Sequence, residues 1–353
     1  MNILILNHHH IGDAICATSL VLGIRARWPD AHIAMFVRNK SICDLFPPGV
    51  IDQYHFYPSS KWQVPRLMRE LCTPKLDLLV CTTELSHTWF VTALTWYSGA
   101  RQIVAEDTIR YAPSRTIRVP FRYELHKFDS NREIGRAIDV ELSADRPLVY
   151  VDPAAVEQSL AMLPAPGEDD WDQQRIAIAP GCHSLPHKAW PPERFAALVD
   201  QLLDAGWGRP VLFGSPQEVG LGQAIMAQLK SPHRERCLSV VGKLSLAQCS
   251  AALSRCQLLV SNDSGLAHMA SGLSVPVVAM FGPTAARRCG PYRADAIVDR
   301  QLSCAPCYPQ RHHGCGNPVC MTELPVAAVT SAIERVRNQS ATITTAPKAA
   351  AAS

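Results

Sequence analysis

No apolar run in the 353 residues reaches the roughly 18–20 that a membrane-spanning helix needs, so no such helix is expected. The first residues, "MNILILN", carry neither the basic start nor the small-residue cleavage site of a secretory leader, and a cytoplasmic location is expected. Net charge is only +3, which gives no signal for nucleic acid; mild basicity still suits a phosphorylated or anionic-glycan substrate. The first strand-to-helix turn, "NHHHIGD", lacks G-x-G-x-x-G, which weakens an NAD-dependent redox reading. No internal repeat is present. The single Asp-x-Asp, Asp170-Trp171-Asp172, falls in a Pro-rich acidic stretch rather than at a strand end, so a metal-dependent transfer built on it is disfavoured.

What is there is the composition of a globular enzyme, 47% hydrophobic and 18% charged, with length enough for two domains. The thirteen cysteines are scattered. In a reducing compartment most of them, such as Cys16, Cys249 and Cys256, read as small buried hydrophobes.

Strand and helix patterns alternate. "NILIL", "HIAMFV" and "DLLVCTT" read as buried strands, with "DAICATSLVLGIRARW" and "WQVPRLMRELC" as the intervening helices. The stretch "DPAAVEQSLAMLPAPGEDDWDQQ", 152–174, breaks this rhythm, and its "PAPGEDDWD" reads as a linker. The rhythm then restarts with strands "RIAIAPG", "PVLFGS", "CLSVVG", "QLLVS" and "VPVVAMFG". Helices "PPERFAALVDQLLDAG", "VGLGQAIMAQLK", "SLAQCSAALSRC" and "SGLAHMASGL" lie between them. The expected class is α/β with two doubly wound domains, 1–165 and 172–325, a closing helix over 326–338 and a disordered tail over 339–353. Ligands bind at the carboxyl ends of the strands in such sheets, so the cleft between the domains is the expected site.

Several strand-end loops carry candidate chemistry. In "SNDSGLAHMASGL", 261–273, Asp263 or Ser264 can cap a helix whose first amides attract an anion. Leu266, Met269, Ala270 and Leu273 form its buried stripe, and His268 lies one turn after Ser264. The same stretch is also compatible with a plain capped helix. In "APGCHSLPHKAWPPERF", 179–195, Lys188 precedes a proline-started helix; an ammonium beside a strand end suits a diphosphate, although a solvated lysine is the ordinary alternative. "FGSPQE", 213–218, and "FGPT", 281–284, complete a nucleotide-sized rim. Near the N-terminus, Asp13 opens a helix directly after His8, His9 and His10 and is either a cap or a catalytic carboxylate.

These segments, with "VVGKLSLAQCSAAL" and "CMTELPVAAV", resemble glycosyltransferase family 9, the ADP-heptose heptosyltransferases of lipopolysaccharide core assembly. The resemblance covers most of residues 1–338; it is specific in the second half and loose over 50–170. It implies the GT-B architecture, two Rossmann-like domains facing across a cleft, with the acceptor read by the first and the nucleotide sugar held by the second. It also implies Asp13 as general base, Ser184 and Lys188 on the donor diphosphate, and Glu218 and Leu244 near the nucleoside. Asp263, Ser264, Gly265 and His268 would line sugar and diphosphate, with Gly282 and Thr284 in the rim. The histidine run departs from the family, and one of His8, His9 or His10 is expected to contact an anionic acceptor or tune Asp13.

The implied activity is inverting transfer of heptose from ADP-heptose to a glycan or glycolipid acceptor, the lipopolysaccharide inner core first, at the inner face of the membrane. The alternatives are a heptosyltransferase with a protein or small-glycoside acceptor, a GT-B-like sugar-nucleotide epimerase, and a non-catalytic sugar-binding scaffold. No cofactor is expected for the chemistry. Cys304, Cys307, Cys315 and Cys320, spaced C-x2-C-x7-C-x4-C around His312 and His313, fit a structural zinc or iron knuckle, or else a reduced or partly disulfide-linked loop.

Overall fold

The computed structural model describes residues 1–7, 10–57, 60–82, 89–108, 111–163, 174–182, 186–292, 294–307 and 315–345. The chain divides into two compact units. Unit 1 comprises Met1–Ala161 with Ser245–Ala252 and Arg287–Tyr292; unit 2 comprises Met162–Leu244, Leu253–Ala286 and Arg293–Ser353. The two short segments that join unit 1 from the second half carry no sequence signature of that membership.

Unit 1 is built on β1 (Asn2–Asn7), β2 (His32–Val37), β3 (Gln53–Phe56), β4 (Leu78–Cys81), β5 (Gln102–Glu106) and β6 (Thr116–Val119). They pair in parallel in the order β3-β2-β1-β4-β5-β6, the strand order of a dinucleotide-fold sheet. Central strands read as unbroken apolar runs because both faces of the sheet are covered. Leu4, Leu6, Phe36, Leu79, Cys81 and Ile103 face one cluster, closed by Leu67, Leu71 and Leu94 from the helices Val64–Leu71 and Trp89–Tyr97. The alternate set, Ile3, Ile5, Met35, Val80 and Val104, is equally buried. Helix Ile11–Arg27 packs closely against helix Lys127–Arg136. A Cβ on Gly135 would lie 3.1 Å from Leu20 Cδ1, and Asn131 Nδ2 donates to the Cys16 carbonyl at 3.1 Å.

Unit 2 repeats the plan with β7 (Arg175–Ala179), β8 (Arg209–Leu212), β9 (Leu238–Ser239), β10 (Leu258–Asn262), β11 (Val277–Met280) and β12 (Ala296–Val298). They are again parallel, in the order β12-β11-β10-β7-β8-β9. Counted from β7 this is the same strand order as in unit 1. The core joins Ile176, Ile178, Leu212, Val260 and Met280 of the sheet to Phe195, Leu198 and Leu202 of helix Pro192–Asp204 and to Val329 and Ile333 of helix Val326–Thr345. Proline occupies the first turn of the Pro192 helix, as its sequence leads one to expect.

Some sequence expectations are corrected. Within 152–174, Pro153–Met162 is a helix that the sequence reading did not assign; "PAPGEDDWD", with Asp170 and Asp172, lies outside the described residues. The closing helix does not stop at 338. It runs from Val326 to Thr345, because nothing between 339 and 345 breaks a helix and the first breaker is Pro347. Of the expected tail, 346–353 lies outside the described residues. Cys16, Cys249 and Cys256 are buried, and burial pushes Cys249 up to about 12. Among the described residues no helix is long and apolar enough to cross a membrane.

Candidate active site

In unit 1, the carboxyl end of β1 leads through the histidine run into helix Ile11–Arg27. Its boundary residue is His10, which is exposed; His8 and His9 lie outside the described residues. Asp13 stands at the third helical position, and its Oδ2 accepts the His10 backbone N–H at 3.2 Å. The capping role is therefore real, and it engages only one oxygen. The other, Oδ1, is in contact with the Lys127 ammonium at the start of helix Lys127–Arg136. Burial alone would pull that ammonium down, but the charge and hydrogen bond of Asp13 outweigh it and hold Lys127 above its ordinary value.

Asp13 lines a cavity together with Thr82, Glu106, Lys127, Ser130, Asn131 and Arg288. Glu106 ends β5 and is 4% exposed; Arg288 is 5% exposed and donates to the carbonyls of Arg122 and Leu125, both at 3.1 Å. Its guanidinium also lies over the rings of Phe121 and Tyr123. Thr82 is fixed by the Asn7 carboxamide at 2.8 Å and by the Leu6 carbonyl at 3.0 Å. Among the described residues, Ser130 Oγ and Asn131 Oδ1 are buried without a hydrogen-bond partner. Orphan polar atoms at a buried site are uncommon and point to a ligand or solvent.

In unit 2 the candidate residues sit on loops at the carboxyl ends of neighbouring strands. Lys188, in the turn Pro186–Lys188 after β7, places its ammonium 2.7 Å from Asp263 Oδ2, directly after β10. Thr284, after β11, donates its hydroxyl to the same oxygen at 2.7 Å. Three loops thus converge on one carboxylate. Asn262 holds the frame: its amide donates to the Pro180 carbonyl at 2.7 Å and its oxygen accepts Trp190 N–H at 3.2 Å. Trp190 is itself buried, with its indole N–H on the Leu324 carbonyl at 2.9 Å.

The helix after β10, Gly265–Gly272, differs from expectation in its cap. Ser264 occupies the cap position but makes no side-chain cap bond; its hydroxyl pairs with Ser261 at 2.8 Å, and Asp263 is turned to Lys188. The first-turn amides therefore receive no closing side chain from either candidate. The buried side chains are Ala267, His268, Met269 and Ala270, while Leu266 and Leu273 are half-buried, because this short helix is wrapped on more than one side.

Glu218 and Leu244 lie on two joined loops, since Gly242 N–H donates to the Gly214 carbonyl at 2.9 Å. Glu218 Oε2 accepts both the Ser215 N–H at 2.6 Å and its hydroxyl at 2.9 Å. The carboxylate also lies over Gly181, where a Cβ would fall 1.8 Å from Oε1 and displace it. Cys182 beside it is pushed up to about 11 by burial, against the pull of Lys188 and with a further push from Glu218 and Asp263. Ser184 lies outside the described residues.

The rim residue Gly282 is required by packing, with Met321 Sδ and Cys320 Sγ at 2.7 and 2.8 Å from a Cβ there. The Cys307 N–H donates to the Pro283 carbonyl at 2.9 Å. The cysteine loop therefore buttresses "FGPT". Cys320 is raised first by burial and then by the charges of Cys307, Cys315 and Cys304. Among the described residues no group of three or more His, Cys, Asp or Glu side chains is placed to hold a metal ion. His312 and His313 lie outside the described residues.

Sequence reading missed Lys127, Glu106, Asn131, Arg288 and Asn262. Only Asn262, beside the "SNDSG" motif at the end of an apolar strand, left a signal that could have been used.

Two parallel sheets of one strand order, each with polar side chains at the carboxyl ends of its strands, define two Rossmann-type folds. The profile of glycosyltransferase family 9 (heptosyltransferase) matches residues 64–317. Lipooligosaccharide heptosyltransferase 2 of Haemophilus influenzae is 24% identical over 317 residues, covering 86% of this chain and 89% of its own. Among solved structures, a family 9 glycosyltransferase from Veillonella parvula superposes with a TM-score of 0.76 at 21% identity, over 96% of this chain and 97% of that one. The ADP-heptose lps heptosyltransferase II of Escherichia coli gives 0.74 at 20% identity, over 97% and 100%. The structural likeness is one of fold, the GT-B class. The chain belongs to glycosyltransferase family 9, the heptosyltransferase family, and is an enzyme of glycosyl transfer.

Proposed function

We propose that this chain transfers a heptose from ADP-heptose to a sugar of the lipopolysaccharide inner core, with inversion at the anomeric carbon. The observation that carries the reading is the convergence of Lys188, Asp263 and Thr284 from three strand-end loops of unit 2. The relatives' names supply the donor and acceptor class. Asp13 takes the proton of the acceptor hydroxyl as that oxygen attacks the anomeric carbon, and the bond from that carbon to the ADP oxygen breaks. Lys188 and the uncapped first turn after Ser264 meet the charge that develops on the departing diphosphate. Ser184 joins Lys188 at the diphosphate, and Glu218 and Leu244 flank the nucleoside. Asp263, Gly265 and His268 order the sugar, with Gly282 and Thr284 shaping the rim.

The cavity around Asp13 supports an acceptor role for unit 1, because the orphan atoms of Ser130 and Asn131 and the carboxylate of Glu106 are groups that pair with sugar hydroxyls. His10, with His8 and His9, belongs to the same acceptor side. The four-cysteine loop supports "FGPT" through Cys307 and Cys320. A glycolipid acceptor places the enzyme at the inner face of the membrane as a peripheral protein.

The test is ADP release from ADP-heptose across a panel of glycan acceptors, with Asp13→Asn alongside. A positioned base typically supplies ~10²- to 10⁴-fold, so Asp13→Asn is expected to lose about that factor in kcat while still binding ADP. No release with any glycan acceptor, or an Asp13→Asn enzyme as fast as the native one, overturns the reading.

A further inference from the structure

Asp13 is engaged through both oxygens, by the His10 amide at 3.2 Å and by Lys127 in direct contact. Lys127 is delivered by a braced backbone. It is the first residue of its helix, and the ring of His126 at the cap accepts Phe128 N–H on Nδ1 at 3.0 Å. The Nε2 of that ring lies 2.9 Å from the Gly290 carbonyl. The Asp13 side chain is 9% exposed and that of Lys127 29%, so the pair stands at the edge of the cavity, partly shielded from water.

We propose that Lys127 is a positioning residue for the proton-accepting step: it holds the Asp13 carboxylate ionised and aimed into the cavity, and so sets the acid limit of the reaction. The proposal rests on the reading of Asp13 as base. Its direction follows from the surroundings. From its own helix Asp13 meets the Cys16 thiol. From the Lys127 helix comes Lys127, from β5 the Glu106 carboxylate, and from the segment Arg287–Tyr292 the Arg288 guanidinium, while Asp129 and the Cys289 thiol act on the neighbouring Cys16. His126, buried and held below its ordinary value, adds no charge near neutrality. A carboxylate in a half-closed cavity with a second carboxylate is driven to take up a proton by burial and by like charge alike. Arg288 opposes this as well, its NH1 group also donating to two carbonyls. Lys127 is in direct contact with Asp13 Oδ1.

The experiment is a titration of the Asp13 carboxyl carbon by NMR in the full chain with ¹³C-labelled aspartate, assigned by its disappearance in Asp13→Asn; it needs no substrate. In Lys127→Met the Asp13 midpoint is expected about 1–3 pH units above that of the native protein, and in Lys127→Arg within a few tenths of it. Lys127→Gln, which keeps a donor but not the charge, should follow Lys127→Met and serves if the methionine variant does not fold. The acid limb of kcat/KM, with ADP-heptose and a deacylated inner-core oligosaccharide, should move by the same amount, with the rate recovering at higher pH. A merely structural lysine would lower the rate equally at every pH. An unmoved midpoint in both neutral variants overturns the proposal. Moved midpoints with an Asp13→Asn enzyme as fast as the native one overturn instead the assignment of Asp13 as base.

Discussion

Replacing Lys188 with methionine removes the ammonium 2.7 Å from Asp263 and leaves a carboxylate that is 9% exposed with no contact cation. Breaking a buried pair from one side costs about 3–5 kcal/mol. The Lys188 side chain is 13% exposed, and Thr284 goes on donating to Asp263 at 2.7 Å, so the lower end applies, about 3 kcal/mol. At roughly 2–4 °C per kcal/mol for a unit of this size, the melting transition of unit 2 should fall by about 6–12 °C. Calorimetry of the native protein, Lys188→Met, Asp263→Asn and the double variant measures this directly. The double variant should recover much of the loss, because the stranded charge is gone. Saturating ADP, at about 100 times its Kd, should stabilise the native protein by about 2.7 kcal/mol and Lys188→Met by clearly less. Additive losses in the double variant, or a Lys188→Met protein that melts and binds ADP like the native one, would refute the argument.

Two further outcomes follow from packing and ionisation. Gly282→Ala drives a methyl group against Met321 Sδ and Cys320 Sγ, 2.7 and 2.8 Å away, and should cost about 1–3 kcal/mol of stability in chemical denaturation. An unchanged midpoint would show that the cysteine loop does not bear on "FGPT". His126 is held below its ordinary value chiefly by burial, with the Gly290 carbonyl and Asp129 pulling the other way and Lys127 and Arg288 adding to the lowering. His55 is lowered by burial as well. Both therefore bind protons more readily in the unfolded chain. Their stabilisation is complete above the ordinary histidine value near 6.5 and declines as pH falls below it. Melting temperature should drop between pH 7.5 and 5.5, and His126→Gln should flatten that slope; an equal slope in the variant would assign the effect elsewhere.

How far the chain could be read ahead of its structure depended on the length of each apolar run. β1, β2, β7, β10 and β11 sit inside their sheets, covered on both faces, and their largely apolar runs announce them. β3 and β6 are four-residue edge strands, "QYHF" and "TIRV", whose polar content hides them. The helix that carries Lys127, "KFDSNREIGR", reads as a charged surface segment although Phe128, Asn131 and Ile134 are buried. Its ammonium meets Asp13 across 114 residues of sequence, and no local pattern encodes that meeting. The unit 2 loops were legible because Lys188, Asp263 and Thr284 each follow a strand that is itself legible. Their convergence on one carboxylate oxygen was not, since it depends on β7, β10 and β11 lying side by side.

The membership of Arg287–Tyr292 in unit 1 has a consequence for synthesis. The first 161 residues leave the ribosome long before Gly290 can meet the ring of His126 or Arg288 can reach the carbonyls of Arg122 and Leu125. The N-terminal sheet can assemble early, but the bracing around Lys127 must await a segment made some 160 residues later. A fragment ending at Ala161 should therefore keep the strands and lose the brace, and the nascent chain acquires its complete first unit only after most of the second has been translated.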